Sequence, residues 1–249
     1  MKKAAKATVS IIVPTYNERG NIEKLIPEIF ESCKGLNAKV EVIVADDNSP
    51  DGTGRLAEQL ARKYNIKVLH RRGKKGLAAA VIHGFSESKS QILGVMDADL
   101  SHPPKIIPKL VKPILNNEAD LVIGSRYAKG GGVEVWPLSR RLTSKIATLM
   151  AWPLTKAKDP MSGLFFLKKS AIDGVKLNAK GYKIGLEVLV KGKYEKALEI
   201  PYLFRNRFVG KSKLNATEYL HYVRNLIALA AYKLAHNEKR KECIQGQAQ

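Results

Sequence analysis

The segment Asp97-Ala98-Asp99-Leu100-Ser101-His102-Pro103-Pro104 directly follows the short apolar run Ile92-Leu93-Gly94-Val95-Met96. An apolar run of this length, bounded by turn residues, predicts a buried strand. Open α/β sheets bind their ligands at the carboxyl ends of such strands. We therefore predict that Asp97 and Asp99 are site residues at the edge of an α/β sheet.

Two interpretations of the Asp-x-Asp spacing remain open at this point. In an extended segment the two carboxylates share one face, and such a pair of oxygen ligands suits Mg²⁺ or Mn²⁺ bound to a diphosphate. Alternatively the segment is an ordinary turn, since Asp, Ser and Pro are common turn formers and Pro104 can open a helix that ends near Leu115. The flanking sequence is needed to distinguish the metal site from the ordinary turn.

Strand and helix patterns alternate on both sides of this segment. Strand patterns occupy residues 9–13, 40–45, 66–69, 92–96 and 119–124, and helix patterns occupy residues 21–33, 53–64, 76–87 and 104–115. This alternation predicts an α/β fold with a mostly parallel sheet, in which residues 1–126 form a nucleotide-binding half. The polar residues that follow the strands are expected near one crevice. They are Tyr16, Glu18, Asp46, Asp47, Asp97 and Asp99.

Two basic, amphipathic helix patterns follow, at residues 139–152 and 217–236. Their basic residues are Arg140, Arg141, Lys145, Arg224 and Lys233. Such helices can lie in a membrane interface or pack as ordinary surface helices, and for the first one the pattern alone favours packing on the sheet. Residues 237–249 are polar and are predicted to form a disordered tail.

The charge balance and the cysteines limit the possible partners. Lys and Arg number 43 against 23 Asp and Glu, which gives a net charge of +20. This excess predicts attraction to the phosphates of nucleic acid, an anionic membrane or a substrate. Cys33 and Cys243 have no disulfide or zinc spacing, and no stretch is apolar enough to span a bilayer, so we predict a cytoplasmic protein.

Six segments together resemble the inverting GT-A glycosyltransferases of family 2, and among them the dolichol phosphate mannose synthases. The segments are VPTYNE (13–18), DDNSPDGT (46–53), GL (76–77), DAD (97–99), GSRY (124–127) and DPMSG (159–163). The resemblance implies a GT-A (Rossmann-like) fold with amphipathic interface helices. It implies a single catalytic domain over residues 1–236, made of a nucleotide-binding half (1–126), an acceptor-binding half (127–214) and a C-terminal amphipathic helix (215–236).

The resemblance also assigns roles to individual residues. The nucleotide-sugar contacts are Pro14, Tyr16, Glu18, Asp46, Asp47, Asp97, Asp99 and Arg207. The ligands of Mg²⁺ or Mn²⁺ are Asp97, Asp99 and Ser101. The contacts to the acceptor phosphate are Arg126, Arg140 and Ser144. The catalytic residues are Asp99, Arg126 and Arg207, with Arg205 as the second choice for the arginine that neutralises the leaving diphosphate.

The reaction that follows from the resemblance is the transfer of mannose from GDP-mannose to dolichyl (polyprenyl) phosphate. Its products are dolichyl β-mannosyl phosphate and GDP. Because a polyprenyl phosphate resides in a membrane, we expect peripheral association with the cytoplasmic face of a membrane. A separate membrane-anchoring subunit is a further partner that this expectation allows.

Three other functions stay open. The first is a polyprenyl-phosphate glucosyltransferase or another family 2 enzyme that uses a UDP-sugar. The second is a basic nucleic-acid-binding protein, although no RRM, KH or helix-turn-helix signature is present and we expect no nucleic-acid partner. The third is an inactive scaffold, because Ser101 and Lys211 stand where similar proteins often have Gln and an acidic residue.

Overall fold

The computed structural model describes residues 6–72, 76–177, 183–206 and 216–245. Within these ranges the strands are β1 (Ala7–Thr15), β2 (Ala38–Asp46), β3 (Ile66–His70), β4 (Ile92–Val95), β5 (Leu121–Ser125), β6 (Gly132–Val133), β7 (Phe165–Lys168), β8 (Ala197–Pro201) and β9 (Leu203–Phe204). The helices are α1 (Arg19–Cys33), α2 (Thr53–Ala61), α3 (Leu77–Glu87), α4 (Ile107–Leu115), α5 (Leu138–Ala151), α6 (Ile184–Lys191) and α7 (Ala216–Gln245). The predicted alternation of strands and helices is confirmed.

A seven-stranded sheet with the order β3-β2-β1-β4-β7-β5-β8 forms the centre of the fold. Strands β1, β2, β3 and β4 run parallel to one another, β5 runs parallel to β8, and β7 is antiparallel to both β4 and β5. The predicted mostly parallel α/β sheet is therefore confirmed. Because β7 is reversed, its amino end lies beside the carboxyl ends of β4 and β5, so the turn that precedes β7 reaches the same sheet edge.

The sheet has hydrophobic layers on both faces, as expected for parallel strands covered by helices. In β1, Ile11 and Val13 pack into the layer that contains α1 and α4. Ile12 points to the other face and packs into the layer that contains α3 and α6. All three side chains are fully buried, which is why residues 11–13 are consecutive apolar residues.

The two halves predicted from the sequence share this sheet. Strand β5 belongs to residues 1–126 by sequence, but its two neighbours, β7 and β8, both come from residues 127–214. The core layer on the α1 side likewise contains side chains from both halves, from Val9 to Phe204. The packing of the described residues therefore continues across residue 126, and the functional division at that residue stays a prediction.

Gly94 gives the fold a testable close contact between β4 and β7. A Cβ atom added at Gly94 would lie 2.2 Å from Cε1 of the fully buried Phe166. We expect Gly94→Ala to lower the free energy of unfolding by about 1–3 kcal/mol, because the core would have to accommodate an extra methyl group. Urea denaturation measures this. Gly20→Ala is the control, since no atom lies within 4 Å of its added Cβ; equal stability of the two variants would contradict the packing.

The C-terminal helix is longer than the sequence pattern indicated. Helix α7 runs to Gln245, so its predicted end at residue 236 is wrong, and so is the predicted disorder of residues 237–245. The physical reason is that this polar segment is rich in Glu, Lys and Arg, which are good helix formers and extend a helix without needing a buried face.

Helices α5 and α7 expose an apolar surface. Only Thr148 and Ala151 of α5 are buried against the described chain, so the predicted packing of this helix on the sheet is wrong. Helix α7 packs beside it through Tyr222, whose hydroxyl donates to the carbonyl oxygen of Ala147 (2.5 Å). The exposed apolar surface consists of Leu138, Leu142, Ile146, Leu149 and Trp152, with Leu220, Val223, Ile227 and Leu234 of α7. In the described part of the chain, none of the helices has the length and apolar character needed to cross a bilayer.

Candidate active site

The turn after β4 carries the two predicted carboxylates at the carboxyl edge of the sheet. The side chain of Asp97 is 30% exposed, whereas Asp99 as a residue is only 6% exposed. Ser101 donates to Oδ1 of Asp99 twice, from its backbone nitrogen (3.1 Å) and from its hydroxyl (2.6 Å). Leu100 between them adopts a left-handed conformation with φ of 62°, which is uncommon for a branched residue. The turn is therefore held in one shape by its neighbours.

The two carboxylates of this turn suit a hard divalent cation whose other ligands come from a substrate and water. The described residues contain no cluster of three or more His, Cys, Asp or Glu side chains suited to a metal. Mg²⁺ is commonly bound by one or two carboxylates while substrate phosphates and water complete its shell, and Asp97 and Asp99 match that arrangement. Ser101 is fully buried and uses its hydroxyl to orient Asp99, so its role as a third ligand stays a prediction.

The turn after β2 positions the next pair of predicted carboxylates. Asp46 accepts hydrogen bonds from the hydroxyl of Thr15 (2.9 Å) and from the backbone nitrogen of Ser49 (3.0 Å), and it is only 2% exposed. Asp47 forms an ion pair with Arg71. Its Oδ2 also accepts a hydrogen bond from the backbone nitrogen of Gly76 (2.7 Å). Both carboxylates thus help to build the turn, and their contacts to a nucleotide stay a prediction.

The turn after β1 holds the three remaining predicted nucleotide contacts. Pro14 is buried within β1, and Tyr16 beyond it is 39% exposed. Glu18 stands directly before α1, and its backbone nitrogen donates to the hydroxyl of Thr53 (3.0 Å) in α2. This bond joins the turns after β1 and β2, so these residues line one edge as predicted. Their contacts to a nucleotide stay a prediction.

Arg126 lies at the end of β5 in a buried ion pair with Asp159. Its Nε donates to Oδ2 of Asp159 (2.8 Å) and its Nη2 donates to Oδ1 (2.6 Å), while its backbone nitrogen also donates to Oδ2 (2.8 Å). The Asp159 side chain is fully buried. Burial lowers the pKa of Arg126, but the hydrogen bonds and the charge of Asp159 outweigh burial and raise that pKa above its usual value. The guanidinium is thus permanently charged and fixed in orientation.

Arg140 and Ser144 of α5 lie near this pair. The guanidinium carbon of Arg140 is 4.2 Å from the ring centroid of Trp136, and that of Arg126 is 5.5 Å from the same ring. The hydroxyl of Tyr127 donates to the hydroxyl oxygen of Ser144 (2.8 Å), which ties α5 to the end of β5. The structure therefore brings together the three residues predicted to contact an acceptor phosphate.

An aromatic cluster connects these arginines with the carboxylate turn. Phe204 packs edge-on against Trp136 with ring centroids 5.4 Å apart, and against His102 at 5.7 Å. His102 accepts a hydrogen bond at Nδ1 from the backbone nitrogen of Asp97 (3.3 Å). Tyr202 packs edge-on against His102 at 5.7 Å, and burial raises the pKa of its hydroxyl, which therefore stays protonated. The two sets of predicted site residues are thus parts of one site.

The two arginines predicted to neutralise the leaving diphosphate lie near residue 206, where one range of described residues ends. Arg207 lies outside the described residues. Arg205 is exposed, and its Nε lies 3.8 Å from Oε1 of Glu134. The backbone nitrogen of Arg205 donates to the carbonyl oxygen of Ser101 (3.0 Å). The segment that leads to Arg207 therefore begins at the carboxylate turn.

Sequence reasoning assigned no role to several residues that build this site. They are His102, Trp136, Asp159, Tyr202 and Phe204. Asp159 stood in a recognised motif, but its spacing from Arg126 did not indicate that the two side chains pair. The aromatic residues carried no local signal, because a buried ring beside a charged site has the same sequence pattern as a ring in any core.

Comparisons with known proteins show a family match over most of the chain. The model of the family described as glycosyl transferase family 2 matches residues 10–175. The dolichol-phosphate mannosyltransferase of Pyrococcus furiosus is 47% identical over 229 residues, which cover 90% of this chain and 64% of that protein. The enzyme of the same name from Saccharomyces cerevisiae is 39% identical, with 92% of this chain and 89% of the yeast protein covered. The chain thus spans less than two thirds of the archaeal relative.

Solved structures show the same fold at low sequence identity. Glucosyl-3-phosphoglycerate synthase from Mycobacterium tuberculosis, in complex with Mn²⁺, UDP and glucosyl-3-phosphoglycerate, superposes with a TM-score of 0.65. The two sequences are 19% identical, and the match covers 91% of this chain and 80% of the other. A structure of the synthase with Mg²⁺ and UDP gives a TM-score of 0.63. Both structures of this synthase contain UDP and a divalent cation.

Proposed function

Because the chain belongs to glycosyltransferase family 2 and has its GT-A fold, we propose that it transfers mannose from GDP-mannose to a dolichyl or other polyprenyl phosphate. The observation that carries the proposal is the joining of two half-sites. A pair of carboxylates suited to a metal-bound diphosphate and a pair of arginines suited to a phosphate acceptor meet at one aromatic cluster. The names of the curated relatives agree with this donor and acceptor.

The reaction needs two phosphate groups on opposite sides of the sugar. A phosphate oxygen of the lipid attacks C1 of mannose, the bond between C1 and the diphosphate oxygen breaks, and GDP leaves with that electron pair. Because attack and departure are in line, the α-linked sugar becomes β-linked. The attacking phosphate is already anionic near neutral pH, so this site needs to position it more than to deprotonate it.

Arg126 and Arg140 are suited to hold the attacking phosphate. Arg126 is fixed by Asp159 and Arg140 lies over Trp136, so neither guanidinium has to be ordered when the acceptor binds. Guanidinium groups bind phosphate through paired N–H donors, and such contacts are about twice as strong as those between neutral groups. These residues thus orient the nucleophile and offset its charge.

The carboxylate turn is suited to hold the donor. In the proposed enzyme Asp97 and Asp99 bind Mg²⁺ or Mn²⁺, which when bound stabilises the charge of the leaving diphosphate. Ser101 and His102 keep the turn in shape, and the turns after β1 and β2 surround the nucleotide. Electrostatic contacts of this kind, fixed in advance, typically contribute about 100-fold or more to a rate.

The exposed apolar surface of α5 and α7 supports a position on a membrane. Its apolar side chains lie beside the exposed basic residues Arg141, Lys145 and Arg224, a combination typical of helices at a bilayer interface. Two other basic residues of these helices are engaged within the protein, since Arg140 lies over the ring of Trp136 and Lys233 donates to the carbonyl oxygen of Pro153 (3.0 Å). The proposed docking face therefore lies next to the proposed acceptor site.

We expect the protein to float with vesicles that contain anionic lipid. Ile227→Glu should reduce the bound fraction about 10-fold, because the side chain is 64% exposed in α7 and its transfer into the bilayer would be lost. Flotation through a density gradient measures the bound fraction. Gln59→Glu adds the same charge at an exposed position of α2 and is the control. A wild-type protein that stays at the bottom of the gradient would exclude this docking face.

A transfer assay tests the proposed function. The purified protein is incubated in detergent with dolichyl phosphate and labelled GDP-mannose, with Mg²⁺ or Mn²⁺ and separately with EDTA. Label that enters the lipid phase only with the metal supports the proposal. Transfer from UDP-glucose in place of GDP-mannose would keep the mechanism and replace the donor, and no transfer from any donor would overturn the proposal.

A further inference from the structure

We propose that Trp136 is a positioning residue that holds Arg126 and Arg140 at a fixed spacing to receive the acceptor phosphate. The inference rests on the proposed function, because it concerns the acceptor half of that site. It assigns to the proposed reaction an uncharged residue in the acceptor half of the site. Its basis is the contact of one aromatic ring with both guanidinium groups.

The ring of Trp136 lies within cation–π distance of two positive charges that repel each other. The guanidinium carbons of Arg140 and Arg126 are 4.2 Å and 5.5 Å from its centroid. Tryptophan gives the strongest attraction between a cation and an aromatic face, especially where water is excluded. Trp136 itself is only 7% exposed, so its face is available to protein groups and little to solvent.

Stacking on a ring leaves the edge of a guanidinium free for a phosphate. The N–H donors of arginine lie in the plane of the group and point outward, so an aromatic face can support the plane while the donors bind oxygen atoms. Arg126 already uses Nε and Nη2 for Asp159. For this arginine the stacking contact therefore adds support without consuming another donor.

Trp136 is in turn fixed by the elements that form the rest of the site. It packs edge-on against Phe204 at 5.4 Å with an interplanar angle of 76°. The backbone nitrogen of Glu134, just before it, donates to the carbonyl oxygen of Phe204 (2.9 Å). Helix α5, which carries Arg140, begins two residues after Trp136. The ring is thus anchored to β9 on one side and to the arginine helix on the other.

Hydrogen bonding of the indole nitrogen to the described residues does not account for Trp136. This Nε1 is buried and makes no hydrogen bond to the described residues. A buried donor without a partner destabilises a protein, and phenylalanine would fill a core position without that cost. Tryptophan offers the two arginines a larger and more electron-rich face than phenylalanine would.

The test compares Trp136→Leu with Trp136→Phe. Farnesyl phosphate serves as a short acceptor that needs no membrane. We expect Trp136→Leu to raise the KM for farnesyl phosphate roughly 10-fold while the KM for GDP-mannose stays within about twofold, since only the acceptor arginines lose support. Trp136→Phe keeps an aromatic face and should restore the acceptor KM to within about threefold of the wild-type value. Equal KM values for Trp136→Phe and Trp136→Leu would overturn the proposal.

A second measurement separates this inference from the proposed function and from simple loss of stability. Binding of farnesyl phosphate is measured by calorimetry without donor. If the wild-type protein neither binds it nor transfers mannose, the proposed function fails; if Trp136→Leu binds it as tightly as the wild type, only the role of Trp136 fails. Phe30→Leu, which removes a ring stacked on Tyr64 in another part of the protein, is the control for lost aromatic packing. An equal loss of binding in that variant would also contradict the proposal.

Discussion

Asp99→Ala should lower the rate of mannose transfer at least 100-fold while the protein stays folded. Asp99 is buried in the turn after β4, and Ser101 orients its carboxylate with two hydrogen bonds. Alanine removes a proposed metal ligand and with it the stabilisation of charge on the leaving diphosphate, an effect of this order in comparable sites. The measurement is kcat for transfer to dolichyl phosphate at saturating Mg²⁺ or Mn²⁺, together with the circular dichroism spectrum of the variant.

Asp120→Ala is the matched control for this loss of a carboxylate. Asp120 lies at the amino end of β5, at the opposite edge of the sheet, where it forms an ion pair with Lys168 (2.9 Å). The Asp120→Ala variant should have a lower free energy of unfolding but a kcat within about twofold of the wild-type value, since most substitutions away from a site act on stability alone. Wild-type kcat in Asp99→Ala would remove Asp99 from the proposed metal site, whereas equal losses in both variants would point to folding.

Asp159→Asn should lower the free energy of unfolding by about 3–5 kcal/mol. The substitution keeps the size of the side chain but removes the charge that compensates Arg126, whose side chain is only 8% exposed. Breaking a buried ion pair from one side leaves an uncompensated charge in the protein, which is why the expected cost is so large. Urea denaturation at neutral pH measures the change, and mannose transfer should fall with it because Arg126 loses its orientation.

A double variant separates the lost ion pair from lost packing. Arg126→Leu with Asp159→Leu should be more stable than Asp159→Asn, since neither charge remains buried without a partner. Glu31→Gln breaks the exposed pair with Lys34 and should change the free energy of unfolding by less than about 1 kcal/mol. If the two variants Asp159→Asn and Glu31→Gln had the same free energy of unfolding, the buried ion pair would not stabilise the site.

The sequence predicted the strands well because their residues are buried on both faces. The apolar run 92–96 and the strand β4 agree to within one residue, and the polar turn after it lies at the predicted sheet edge. The position of β7 could not be predicted in the same way. Its apolar residues would suit any inner strand, and its reversed direction depends on β4 and β5, which lie far from it in the sequence.

Charged residues of the candidate site were predicted from the sequence, whereas the residues that hold them in place were not. A carboxylate after a strand carries a local signal, so Asp99 could be proposed from the residues alone, whereas Arg126 was assigned through the family resemblance. Asp159 is 33 residues from Arg126, and nothing in the spacing relates them. For helix α5 the sequence could not tell what the apolar face contacts, since an amphipathic pattern is the same whether that face meets a protein core or a lipid surface.

The insertion of β7 between β4 and β5 has a consequence for synthesis on the ribosome. When β5 emerges, β1 to β4 can already pair with one another, but β5 has neither of its neighbours, because β7 and β8 are still to be translated. The nascent chain must therefore keep an apolar strand unpaired until the later segments arrive. Such unpaired strands are the parts of a growing polypeptide most exposed to misassociation and to capture by chaperones.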